Sequence, residues 1–368
     1  WCGLLSSLWR YAWGRPRLSA RPLRFFSAQK RAGRAPTWHM AKYSSKDVNA
    51  NWQQADSQGT FGKVFFGKTG MMGMGGQVVV KLPVNTAVNQ RFGEAIYRTE
   101  RLVNEKLAAA YPKPRWAQYL GDIEFAEGEL PGDLVTSGLV FKKESGETME
   151  SMLLGGEDLG GKLNAKDDGL IKPNLCRSVI GELLLACNQM HKVGVIHRDI
   201  KPENIVVTGG GEPLKLIDFG SSCDLTTGQG INDISLDPTY APPEKRIQNN
   251  MAGKYDTYCV AMTGLRCLLP SFSKDPRPGI NEAAGSTSLM MEFGEVEFSR
   301  QNCDLQKWAQ SVVKGRDPTM QAEVNELFDG SNGELISLLN MMLTKQVGAR
   351  YDAERALAVL GKPWSGKM

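Results

Sequence analysis

His197-Arg198-Asp199-Ile200-Lys201-Pro202-Glu203-Asn204 is the stretch that decides how this chain folds, and Asp218-Phe219-Gly220 follows shortly after it. Together the two strings set a carboxylate, an ammonium, a carboxamide and a second carboxylate on two short loops. A carboxylate on a fixed loop, Asp199, orients an attacking hydroxyl and relieves it of its proton. The Lys201 ammonium, two residues on, suits the neutralising of negative charge on a group bound beside that carboxylate. Asn204 and Asp218 supply hard oxygen donors, which suit magnesium far better than zinc. Any one of these residues alone reads as a solvated loop side chain; all of them in this order do not.

The strings resemble the signature of the eukaryotic-type protein kinases, and the resemblance is continuous from about Asn51 to Trp364. It implies ATP and Mg2+ as cofactors, protein substrates with Ser/Thr acceptors, and a phosphotransferase activity. By that resemblance Asp199 and Lys201 are catalytic, and Asn204 and Asp218 hold the metal. Ser57-Gln58-Gly59-Thr60-Phe61-Gly62-Lys63-Val64 is similar to the glycine loop over the phosphates, so Gly59, Thr60, Phe61, Gly62 and Val64 are expected to bind nucleotide. Ser57 replaces the first glycine of the pattern, and glycine is what permits close backbone approach to phosphate. Lys81, at the end of an apolar strand, is expected to hold the α- and β-phosphates, with Val79 against the adenine where the family has a small alanine. The lysine needs a carboxylate partner on the following helix. Glu100 lies four residues after Ile96 and three before Val103, on the inward face, whereas Glu105 falls near the opposite side.

The same resemblance reads Leu236 to Glu244 as the end of an activation segment, with Pro242 replacing an alanine, and pairs Glu244 with Arg350. Asp256 is expected to steady the 197–204 loop from below. Arg198 is expected either to meet a phosphate on the activation loop, at Thr226, Thr227 or Ser235, or to pair with a carboxylate. Lys201 with Thr239 matches serine/threonine-specific kinases. More narrowly, Ile96 to Leu102, Asp224-Leu225 and Leu236 to Ala241 are similar to the plastid thylakoid state-transition kinases. Those carry a membrane-anchoring helix, and this chain has no run of 18 or more apolar residues.

Periodicity outlines an α+β bilobal architecture. Gln58–Lys68 reads as two strands and a tight loop, Val78–Leu82 as a β-branched strand, and Asn89–Ala110 as a helix with Phe92, Ile96, Val103 and Leu107 on one face. Short strands are expected at Ala117–Leu120 and Leu134–Phe141, giving a small sheet-rich N-lobe over 51–142. Gly155–Asp168 reads as a polar surface insertion. A helix from Pro173, apolar at Leu175, Val179, Leu183 and Cys187, stops at Gly194. Strands at Ile205–Val207 and Leu214–Ile217, helices around Tyr258–Leu269 and Leu335–Leu343, and a long loop at Ser271–Gly294 complete a mainly helical C-lobe over 143–364.

Residues 1–46 hold ten of the 44 Lys/Arg and none of the 40 Asp/Glu, so the rest of the chain is mildly acidic at −6. That body gives a nucleic-acid role no electrostatic support. The Arg-rich, acid-free start suits an organelle-targeting leader, which places the protein in a plastid or mitochondrion; otherwise it is cytoplasmic. The rival reading of that start is a disordered tail or a misread upstream segment, with the true start at Met40. Seven scattered cysteines without a C-x-x-C pair read as reduced, packed thiols, Cys223 included. A catalytically impaired kinase fold that binds nucleotide or a partner is the second reading, motivated by Ser57, Val79 and Pro242. Phosphorylation of a small molecule is a third, and leaves Thr239 to Glu244 without a role.

Overall fold

The computed structural model describes residues 40–58, 62–70, 75–84, 90–111, 114–132, 134–231, 237–244, 247–273, 289–312, 315–316 and 318–361. Its N-terminal part contains β1 (Ala41–Ser44), β2 (Val48–Ala50), β3 (Ser57–Gln58), β4 (Gly62–Thr69), β5 (Gln77–Pro83), α1 (Gln90–Ala110), β6 (Tyr119–Glu124) and β7 (Ser137–Lys142). The strands form one sheet in the order β1-β6-β7-β5-β4-β2, with β3 on β4. Alternation explains β5. Val78, Val80 and Leu82 are buried in the sheet's core with Phe65, Ile123 and Val140, while Val79 and Lys81 face the other side. The register sets Val64 opposite Lys81 and Val79 opposite Phe141.

The fold starts earlier than the expected boundary at Asn51. β1 lies parallel to β6, and β2 pairs with β4, so the tail of the acid-free segment is built into the sheet. Gly121 makes room for β1: its φ is +146, and a Cβ there would overlap the Ala41 carbonyl.

The C-terminal part runs β8 (Glu147–Thr148), α2 (Met149–Gly155), α3 (Leu159–Lys162), α4 (Pro173–Lys192), β9 (Val195–Ile196), β10 (Ile205–Val207), β11 (Leu214–Leu216), β12 (Cys223–Asp224), α5 (Gly253–Leu268), α6 (Leu289–Glu292), α7 (Phe298–Arg300), α8 (Leu305–Val312), α9 (Pro318–Leu327), α10 (Gly333–Leu343) and α11 (Ala353–Leu360). Helices α4 and α5 pack together at the centre, and Leu175, Val179, Leu183 and Cys187 are all buried there, as their spacing predicts. Each fully buried Leu or Val contributes about 1.5–3 kcal/mol to this core.

Two loop expectations need correcting. Gly155–Asp168 is not merely a surface insertion: Asp158 caps α3, and Leu159, Leu163 and Ala165 are buried in the main core. Its polar, Gly-rich composition hides three inward-facing apolar residues. Within Ser271–Gly294 the described residues at both ends are helical, because Phe272 and Phe293 pack against each other and Trp308. Residues 274–288 lie outside the described set, as do the expected leader up to residue 39 and Gly59, Thr60, Phe61 and Ser235. Among the described residues no helix is long and apolar enough to cross a membrane. The six described cysteines are buried free thiols, and burial pushes Cys223 up to about 11.

Candidate active site

Lys81 carries the geometry of the cleft. Its Nζ stands 2.8 Å from Glu100 Oε2 and 2.6 Å from Asp218 Oδ1, bridging strand β5, helix α1 and the 218–220 loop. Helical spacing turns Glu100 inward with the buried Val103 and Leu107, whereas Glu105 pairs with Arg101 on the outer side. Burial alone would lower the Lys81 pKa, but the carboxylates of Asp218 and Glu100 outweigh it and raise the value. Burial raises the pKa of Glu100 despite that ammonium. Asp218, also working against burial, is brought down to about 2 by Lys81. Asp218 remains 46% exposed, open to the cleft. Gly220 is required beside it, since a Cβ would stand 2.9 Å from Ile96 Cγ2 and 3.1 Å from Asp218 Oδ1.

The 197–204 loop is fixed from beneath. Asp256, at 0% exposure, accepts the His197 N–H at 2.9 Å and the Arg198 N–H at 2.8 Å, and meets His191 Nε2 at 2.8 Å. These bonds help hold Arg198 at φ +71, a left-handed conformation costing about 1–3 kcal/mol for a non-glycine residue. Two links bring this loop alongside the next. The Ile217 N–H donates to the Asn204 carbonyl at 2.9 Å, and His197 Nε2 meets the Ile217 carbonyl at 3.2 Å. β12 adds a third by pairing with β9, and Phe219 packs on the His197 ring at 4.7 Å.

Asp199 and Asn204 meet directly: Asn204 Nδ2 donates to the Asp199 carbonyl at 2.9 Å and to its Oδ2 at 2.8 Å. Burial raises the Asp199 pKa above the ordinary aspartate value, with Lys201 and His197 opposing and Asp218 adding to the rise. Lys81, Glu100 and Asp218 thus form one ion-paired group, and Asp199, Lys201 and Asn204 form a second on the adjoining loop, close enough for the Asp218 charge to act on Asp199. Val64 and Gly62 lie on the neighbouring strand. Val79 joins an apolar cluster with Leu139, Phe141, Tyr97 and Ile217 on the Lys81 side of β5.

Arg198 holds the segment that follows the 218–220 loop. Its Nε donates to the Ser221 carbonyl, Nη2 to Ser222 and Gly230, and Nη1 to Ile231. The arginine pins the segment through these backbone carbonyls. Glu244 and Arg350 form a bidentate pair at 2.5 and 2.9 Å, with Arg350 buried against Tyr258.

Three contacts escaped the sequence reading. Lys201 pairs most closely with Asp237, at 3.0 Å, ahead of Glu203 at 3.1 Å and Asp199 at 3.6 Å. Lys106 of α1 holds Asp224 and Thr226, each at 2.7 Å. Gln229 Nε2 donates to Thr99 Oγ1 of the same helix at 3.0 Å. Only Asp237 carries a local signal, as an aspartate opening a turn before proline.

Residues 136–364 match the protein kinase domain family. The chain is 28% identical over 255 residues to the serine/threonine-protein kinase STN7, chloroplastic, of Arabidopsis thaliana, covering 62% of this chain and 41% of that protein. It is 25% identical over 324 residues to STN8, chloroplastic, of the same plant, covering 78% of this chain and 59% of the relative. It therefore spans less than two thirds of either. A crystal structure of a Stt7 homolog from Micromonas algae soaked with ATP superposes with a TM-score of 0.67 at 21% identity, over 91% of this chain and 96% of that one. That likeness is one of fold.

Proposed function

Because this chain belongs to the protein kinase domain family, we propose that it transfers the γ-phosphate of ATP to serine or threonine hydroxyls of proteins. The observation that carries this reading is the Lys81 ammonium, held at once by Glu100 and Asp218 beside an Asp199 carboxylate oriented by Asn204. Lys81 binds phosphate oxygens of the nucleotide. Asp199 accepts the proton of the incoming hydroxyl, and its raised pKa makes it a better base than an ordinary aspartate. Lys201 meets the charge that develops on the transferred group.

The oxygens of Asp218 and Asn204 fit magnesium in kind, and Asp218 is open to the cleft. Magnesium held there would neutralise phosphate charge. The relatives named chloroplastic support a plastid location, which a fluorescent-protein fusion expressed in plant cells would test. The central test is radiolabel transfer from ATP to a generic basic protein. The wild type is expected to label it, and Asp199→Asn to bind ATP without labelling. A wild type that binds ATP and labels nothing would refute the reading and leave the nucleotide-binding module in its place.

A further inference from the structure

Among the described residues, helices α4 and α5 bring three metal-binding donors together. Cys187, His191 and Asp256 each offer one ligand atom, and the three atoms lie within 4.8 Å of one another. Spacing accounts for two of them: Cys187 and His191 stand four residues apart on α4, one turn along the same face. Asp256 faces them from the first turn of α5, and its Oδ2 meets His191 Nε2 at 2.8 Å. Cys187 and Asp256 have no exposure, while the His191 side chain keeps 15% and forms the accessible edge of the group.

We propose that Cys187, His191 and Asp256 form a binding site for zinc, which clamps α4 to α5 beneath the 197–204 loop. Thiolate, imidazole and carboxylate are the donor types that zinc takes. Donors on a zinc tetrahedron stand roughly 3–4 Å apart, at metal bonds of about 2.0–2.3 Å, so the group closes on an ion with small side-chain movements. Charge favours the fit as well. One thiolate and one carboxylate balance the two charges of the ion, so the loaded site adds no net charge to a buried region. Burial keeps the free Cys187 thiol neutral, its pKa well above the ordinary value. On binding, its S–H proton leaves to solvent and a bond from sulfur to zinc takes its place. His191 binds through Nε2 with its hydrogen on Nδ1. Gly253 keeps that edge clear, since a Cβ there would stand 2.7 Å from Nδ1. Asp256 Oδ1 retains the Arg198 N–H and Oδ2 the His197 N–H, so the ion displaces only the contact with His191. A water completes the four positions.

The test titrates the reduced, metal-free full chain with cobalt(II) and with zinc. Cobalt is expected to give a thiolate-to-metal charge-transfer band, which zinc abolishes by displacing it. Zinc at about one hundred times its Kd should raise the unfolding midpoint by about 4 °C. Cys187→Ala should remove the band and weaken zinc binding by more than about 100-fold, beyond the loss that follows removal of a ligand's outer partner. His191→Gln should weaken zinc binding as strongly. Cys259→Ala deletes another buried thiol, three residues past Asp256, and should leave band and affinity unchanged. Should Cys187→Ala unfold, Cys187→Ser fills the same space without a sulfur and carries the same expectation for the band. Cobalt held by the oxygens of Asp218 and Asn204 gives no thiolate band. A folded wild type without that band, or a band that survives Cys187→Ala, overturns the proposal. A wild type that shows the band and labels no protein upholds this site and refutes the kinase reading alone.

Discussion

Asp256→Asn tests how the 197–204 loop is held. The carboxylate has no exposure and receives three polar contacts, from the His197 N–H, the Arg198 N–H and His191 Nε2. In the asparagine variant one oxygen becomes NH2 and confronts at least one of those backbone donors. A hydrogen bond to a charged group contributes about 1.5–3 kcal/mol, and a buried donor left unpaired costs about 1–3 kcal/mol. The expected loss is therefore about 3–5 kcal/mol, against a total stability of about 5–15 kcal/mol. Thermal unfolding followed by circular dichroism should show a midpoint lower by roughly 6–15 °C. Turnover should fall further than ATP affinity, because Arg198 at φ +71 relaxes with Asp199 beside it while the Lys81–Glu100 pair is untouched. The pH dependence has a definite sign. Burial alone would raise the Asp256 pKa, but the bonds to His191 and His197 lower it below the ordinary value. Its stabilisation is thus complete above the unfolded carboxylate range and disappears as pH falls through the lowered folded value. The gap between wild type and variant should close in acid. A gap under about 1 kcal/mol at neutral pH, or one that widens on acidification, would refute this account.

Glu100→Gln removes one of the two carboxylates on Lys81 and should weaken ATP binding about tenfold, the low end for a hydrogen bond to a charged group, as read by equilibrium nucleotide titration. Glu244→Gln strands the buried Arg350 guanidinium and should cost about 3 kcal/mol in denaturant unfolding. Thr226→Val removes the hydroxyl shared by Lys106 and Asp224 and should cost about 1 kcal/mol in denaturant unfolding. A variant as stable as the wild type would refute that role for the hydroxyl.

Much of this site was legible because its parts lie within short strings or along one element. Asp199, Lys201 and Asn204 share a loop, Lys81 followed from the resemblance to the kinase family, and helical spacing picked out Glu100 as its partner. Contacts between distant segments leave no such trace. Nothing local links Lys201 to Asp237 or Lys106 to Asp224, and the Thr239 hydroxyl turned out to face Glu295. β1 was hidden for a different reason. Ala41-Lys42-Tyr43-Ser44 is a short edge strand in a basic stretch, and its partner, β6, lies beyond the whole of α1. The carbonyl partners of Arg198 were not legible either, because they depend on where chain carbonyls converge, which residue identity does not encode.

Helix α1 is gripped at three points by different parts of the molecule: Glu100 by Lys81, Thr99 by Gln229, and Lys106 by Asp224 and Thr226. A rigid rod so tethered cannot swing outward without releasing all three. Cleft occupancy and order in the segment after Gly220 are therefore linked quantities. Whatever coupling α1 carries between them is equal in both directions.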